Sequence, residues 1–143
     1  MPEFRSVAAM ANALQRRLVL AIQSHVPEVV TEVMQDQIDI HVYDAYTPKD
    51  YVRTYQLRSA DNIVATDVAG GVSIQNVRMD TGEGDSEDIR DVAAVVEQGG
   101  PYTWNVSIPP RQFTEETRKA LILSRAHVKA ARMGLQSQGL MVE

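Results

Sequence analysis

Asn62-Ile63-Val64-Ala65-Thr66-Asp67-Val68 and Val72-Ser73-Ile74-Gln75-Asn76-Val77-Arg78-Met79, separated by Ala69-Gly70-Gly71, decide the fold class of this chain. Both runs are rich in β-branched residues, which pack well on a pleated surface. Glycine reaches the positive φ that a tight reversal requires. The spacing predicts an antiparallel β-hairpin across Gly70 and Gly71. This is the strongest β signal in the sequence.

Toward the N-terminus the periodicity changes. Val7, Met10, Leu14, Leu18 and Ile22, with Ala11 and Ala21 beside them, recur every three or four residues and predict one face of a helix from Ser6 to Gln23. Proline disfavours helix in the residue before it, so Pro27 predicts a break near His25-Val26. A second helix follows, with Val26, Val29, Val30, Val33, Met34 and Ile38 on its buried side. Valine is a mediocre helix former, so packing must hold that segment. Tyr46-Thr47-Pro48-Lys49-Asp50 reads as a turn cluster, and Tyr51 to Leu57 alternates as a strand does.

Toward the C-terminus, Asp80 to Asp91 is acidic and glycine-containing, too poor in apolar groups to be buried, and reads as a loop. A short apolar stretch, Val92 to Val96, leads to Glu97-Gln98-Gly99-Gly100-Pro101-Tyr102. A second loop runs through Trp104 to Pro109-Pro110. Phe113 anchors the start of a long last helix, with Thr114 as its cap and Glu115 and Glu116 in the first turn. Gly134 or Gly139 ends it. The expected class is α+β: a small antiparallel sheet with a central hairpin, flanked by N-terminal helices and a long C-terminal helix, one domain over 1–143.

Composition narrows the chemistry. The 44% apolar and 23% charged fractions are those of an ordinary globular protein, so a single real core is expected. There is no cysteine, which removes disulfides and thiolate chemistry. A net charge of −5 argues against general nucleic-acid binding, which needs cations to displace counterions. No apolar run is long enough to span a bilayer. The Met1-Pro2-Glu3-Phe4-Arg5 start leads into an amphipathic segment and not a signal-peptide core.

A search for catalytic groupings returns little. His25, His41 and His127 are far apart and lack a partner at metal-ligand spacing, so surface or packing roles are expected. No nucleophile elbow and no phosphate-binding glycine pattern occurs. Asp80, Glu83, Asp85 and Asp88 offer oxygens to a hard cation, but their spacing fits no EF-hand, and solvation is the plainer reading. Arg118, Lys119, Arg125, Lys129 and Arg132 form a basic series on the last helix, better explained as a solvated face than as a DNA contact. No cofactor and no catalytic or metal residue is assigned. Tyr102 and Trp104 sit among glycines and prolines, either folded onto the core or offered to a partner. If offered, they and Arg111 are the residue types that dominate interface energy.

Three segments taken together go further. They are Val42-Tyr43-Asp44-Ala45-Tyr46-Thr47-Pro48-Lys49-Asp50-Tyr51-Val52-Arg53-Thr54, Val96-Glu97-Gln98-Gly99-Gly100-Pro101-Tyr102 and Pro110-Arg111-Gln112-Phe113. In order and spacing they resemble the tail-completion and head–tail joining family of minor proteins of long-tailed bacteriophages. The resemblance runs from about Val26 to Leu140. One departure is that Arg111-Gln112-Phe113 stands where Arg-Pro-Phe is usual, with the prolines one step earlier. The resemblance implies a non-catalytic virion protein, made in the host cytoplasm, that forms a rotationally symmetric ring and contacts neck, connector or tail-tube proteins. It involves no membrane and no direct DNA contact. Tyr46, Tyr51, Tyr102, Trp104, Arg111 and Phe113 are the candidate contacts with those partners. Two other classes remain open from sequence: a cytosolic protein–protein adaptor, and a small divalent-cation-dependent enzyme.

Overall fold

The computed structural model describes residues 5–45, 55–80, 90–103 and 106–140. It opens with one helix, α1 (Val7–Ile38). Ser6 caps it: its Oγ accepts from the Ala9 N–H at 3.1 Å, satisfying one of the first-turn donors. The expected break at Pro27 does not occur, and α1 runs straight through it. Packing explains the correction. Val26, Val30, Met34 and Ile38 lie four residues apart and are all buried. An interior proline costs about 3 kcal/mol. Each buried side chain of this size returns about 1.5–3 kcal/mol. The unbroken ridge wins.

The chain then tightens through a π turn (Asp39–Tyr43). Gln56–Arg58 is a 3-10 turn with Leu57 buried, where alternation had predicted the end of a strand. Residues 51–54, the rest of that expected strand, and the turn cluster before them lie outside the described residues. A second 3-10 turn, Ala60–Asn62, feeds the hairpin.

The hairpin forms where expected. β1 (Ile63–Val68) and β2 (Gly71–Asn76) pair antiparallel, from Val68↔Gly71 to Ile63↔Asn76. Gly70 has φ +80°, while Ala69 keeps negative φ, so a single glycine makes the reversal. β2 stops at Asn76 because that side chain turns to other work. Its Nδ2 donates to the Leu57 carbonyl at 2.6 Å, and its Oδ1 accepts from the Arg78 N–H at 3.0 Å. β3 (Met79–Asp80) and β4 (Arg90–Asp91) are a short antiparallel pair closing the ends of the acidic stretch. Residues 81–89, which include Glu83, Asp85 and Asp88, lie outside the described residues.

Val92 to Val96 proves to be part of a helix, α2 (Val92–Gln98), burying Ala93 and Val96. Gly99, at φ +73°, ends it. The segment read as a loop through Trp104 contains a ribbon instead: β5 (Gly100–Thr103) pairs with β6 (Val106–Ile108), from Gly100↔Ile108 to Thr103↔Val106.

The long last helix is two helices, α3 (Phe113–Ser124) and α4 (Ala126–Ser137). Arg125 stands between them at φ 57°, in the left-handed region. The bend lays α4 on α1. Ala130 packs with Val26 and Val30, and Gln138 Nε2 donates to the Arg17 carbonyl at 3.0 Å. Gly139, not Gly134, terminates α4. At φ +82° it lets the Leu140 N–H reach the Leu135 carbonyl at 3.2 Å.

Two clusters of buried residues lie along α1. The larger joins Met34, Ile38 and Val42 to Leu57, Ile63, Ala93, Val96 and Phe113. The smaller joins Val26 and Val30 to Ala130, and Ile74 of β2 touches both. The α+β class read from sequence stands, and no helix of the described residues is long and apolar enough to cross a membrane.

Candidate functional site

The π turn builds the site. Its widened ring closes with the Asp44 N–H donating to the Asp39 carbonyl at 2.7 Å, five residues back. It keeps Val42 in the core one turn beyond Ile38 while His41 and Ala45 line a cleft outside. The opposite wall is Pro109, Pro110, Arg111 and Gln112, with Glu116 from the first turn of α3. The cleft holds about 520 Å³.

Polar contacts fix its walls. His41 Nε2 lies 3.1 Å from Gln37 Oε1 and 3.9 Å from Glu116 Oε2. The other Glu116 oxygen accepts from Lys119 Nζ at 3.1 Å. The Arg111 N–H donates to the Val96 carbonyl at 2.8 Å, tying the proline segment to α2. Glu97, at the end of α2, caps α3 from outside. Its carboxylate accepts from the Thr114 N–H at 2.8 Å and from the Glu115 N–H at 3.2 Å. Gln112, at the cap position, makes no side-chain cap bond, so the role expected of Thr114 belongs to Glu97. Arg118 forks onto Glu115 with contacts of 3.0 and 2.6 Å and holds that carboxyl below its usual range.

On the other side of the π turn, Tyr43 and Tyr55 meet edge to face, ring centroids 4.8 Å apart. Tyr55 is half exposed and left-handed, at φ 57°. Burial pushes the Tyr43 phenol above its ordinary value, and backbone hydrogen bonding from Arg58 and Leu57 pulls partly the other way. Arg58 Nε donates to Asp39 Oδ1 at 2.8 Å, and the Arg58 carbonyl accepts from Gln35 Nε2 at 2.8 Å. These bonds clamp the π turn to the segment that returns at Tyr55.

The six candidate contacts fall out unevenly. Arg111 lines the cleft. Phe113 is corrected to a core position: it is 1% exposed, so its ring is absent from the surface of the isolated chain. Its carbonyl accepts from Thr117 Oγ1 at 2.6 Å. Tyr102 lies on β5. Tyr46, Tyr51 and Trp104 lie outside the described residues. Ala45 and Pro109 also line the cleft.

Tyr55 and Arg58 were not singled out from sequence, and His41 and Glu116 were read there only as a surface or packing histidine and a first-turn acid. Tyr43 entered only within the resemblance segment, and His41 and Glu116 meet through tertiary packing alone. Among the described residues no group of three metal-ligating side chains converges. The cleft offers hydrogen-bond donors, acceptors and both signs of charge. A second recess, of about 560 Å³, lies between α1 and the hairpin turn, lined by Asn12, Gln15, Arg16 and Gly70 among others.

A family model described as YomN matches residues 6–137. The SPbeta prophage-derived protein YomN of Bacillus subtilis (strain 168) is 30% identical over 122 residues, covering 82% of this chain and 81% of that protein. No solved structure matches the chain.

Proposed function

The chain belongs to the YomN family, which is phage-derived, and on that premise we propose that it is a minor structural protein of a phage particle. It sits at the head–tail junction or the tail end and acts in tail completion or head–tail joining. It works without catalysis, as a ring of identical subunits that contacts neck, connector or tail-tube proteins. It resides in the virion, and in the host cytoplasm before assembly.

The observation that carries this reading is convergence. Of the three segments whose order resembles tail-completion proteins, the first contributes Ala45 to the cleft and the third Pro110, Arg111 and Gln112, while Val96 of the second accepts from the Arg111 N–H. The Arg111 N–H bond to the Val96 carbonyl holds the proline segment to α2, and Glu97 holds the start of α3 beside it. Structural phage proteins work by such fixed surfaces, and a ring repeats one modest contact around an axis.

Particles from a lysogen carrying this gene provide the test. Mass spectrometry of purified virions is expected to find the chain at a fixed small copy number. Deletion is expected to leave filled heads and tails unjoined, or tails unfinished. Normal infectious particles from the deletion strain, with the chain absent from wild-type virions, would refute the reading.

A further inference from the structure

The segment from Phe113 to Met133 carries the pattern of one helix and folds as two. Glu115 and Glu116 lie in its first turn, and Arg125, Lys129 and Arg132 lie toward its far end, the order a single helix dipole favours. No glycine or proline stands between them. The bend sets that order aside, because it puts Arg125 and Lys129 at the N-terminal end of α4, where positive charge is unfavourable. Arg125 is held at φ 57°, a conformation that a Cβ makes costly. It also gives α4 no side-chain cap. A straight helix would offer the N–H groups of Ala126, His127 and Val128 to the carbonyls of Ile122, Leu123 and Ser124. In the bend Ala126 donates to Ser124 Oγ instead, at 3.3 Å.

The elbow strands apolar groups as well. Ile122 and Leu123 are 59% and 89% exposed. On a straight helix Leu123 precedes His127 by four residues, Ala130 by seven and Gly134 by eleven, so it joins the face by which α4 meets α1. The seat of α4 is separable from the rest. Ala130 packs on Val26 and Val30, Gly134 lies against Ala21 and His25, and Gln138 holds the Arg17 carbonyl. The seat leaves His127 Nδ1 buried without a hydrogen-bond partner. The larger cluster around Ile38 and Phe113 contains no residue of α4, so α4 can leave α1 without opening it.

We propose that α3 and α4 straighten at Arg125 and that α4 docks on α1 of a second copy, in the seat it holds on its own chain. Complementarity is assured because the surface is the same one: the contacts of α4 with α1 are remade between chains, while Arg125 leaves the left-handed region and the broken turn regains its bonds. This deepens the self-assembly part of the proposed function and rests on it. Passed from each copy to the next, α4 makes a heterologous contact of the kind that closes rings.

The chain has no cysteine, so introduced ones report the exchange directly. Val26→Cys and Ala130→Cys, each in a separate full-length chain, are mixed at high concentration and oxidised. In the bent form both positions are buried within their own chain, whereas exchange brings them together and is expected to give a disulfide-linked pair of the two variants. The double variant, dilute, is expected to link within one chain, which confirms the geometry of the seat. Arg125→Gly eases the bend and weakens the straight helix, so in sedimentation velocity it is expected to lower association at least about tenfold. Mixed variants that stay unlinked while an oligomer forms would remove the exchange and leave the assembly reading standing. An oligomer indifferent to Arg125→Gly would also overturn the exchange. So would a chain that remains monomeric at every concentration, and the virion experiment then decides the assembly reading alone.

Discussion

Single residues here do work that their chemical type does not announce. Glu97 belongs to a segment whose resemblance points to a partner surface, yet its carboxylate is spent on two N–H groups at the start of α3. Glu97→Ala is expected to cost about 1–2 kcal/mol, the range for losing a helix cap, with Glu97→Gln costing less; urea unfolding measures both. Gly134 is a second case. The sequence offered it as a helix end, but it lies inside α4, where an added Cβ would stand 2.9 Å from Ala21 Cβ and 3.0 Å from Ala21 Cα. Alanine gains up to about 1 kcal/mol in helix propensity, but a backbone atom at that distance cannot yield without moving α4 off α1. Gly134→Ala is therefore expected to lower stability by about 1–3 kcal/mol, seen as a drop in Tm. Phe113 makes the same point in reverse: an aromatic beside a proline loop looked like a contact and is core.

At the scale of elements, the contest is between local preference and shared burial. Pro27 loses because Val26 and Val30, on either side of it, are buried against three other elements, β2, α3 and α4. Its missing N–H still leaves the Gln23 carbonyl without a helical donor. Pro27→Ala is expected to stabilise the fold by about 1–3 kcal/mol, measured by denaturant midpoint at unchanged slope. The opposite outcome meets the last helix. Nothing between Phe113 and Met133 breaks a helix by type, yet Arg125 takes the left-handed conformation so that α3 and α4 each follow their own part of α1. Turns governed by glycine were legible at Gly70 in the hairpin and, as one of two candidates, at Gly139 after α4. The β5–β6 ribbon was not, because prolines and a single aromatic pair dilute the alternation that marks a strand.

The whole molecule is organised along α1, and its stability is graded along that helix. Met34 and Ile38 are 2% and 0% exposed, whereas Val7 is 78%. Amide exchange in dilute monomer is expected to be slowest near Ile38 and fastest before Leu18, the first turns opening without disturbing the core. The sequence by itself determined the features that neighbouring residues settle among themselves: a hairpin at Gly70, helices at both ends, the α+β class and the order of the motif segments. Only the tertiary structure decided that α1 is continuous, that the last helix bends, and that His41 meets Glu116 beside Arg111. Backbone preferences of a kcal/mol or so act within a few residues, but burying a ridge of side chains against a distant element is worth several times more.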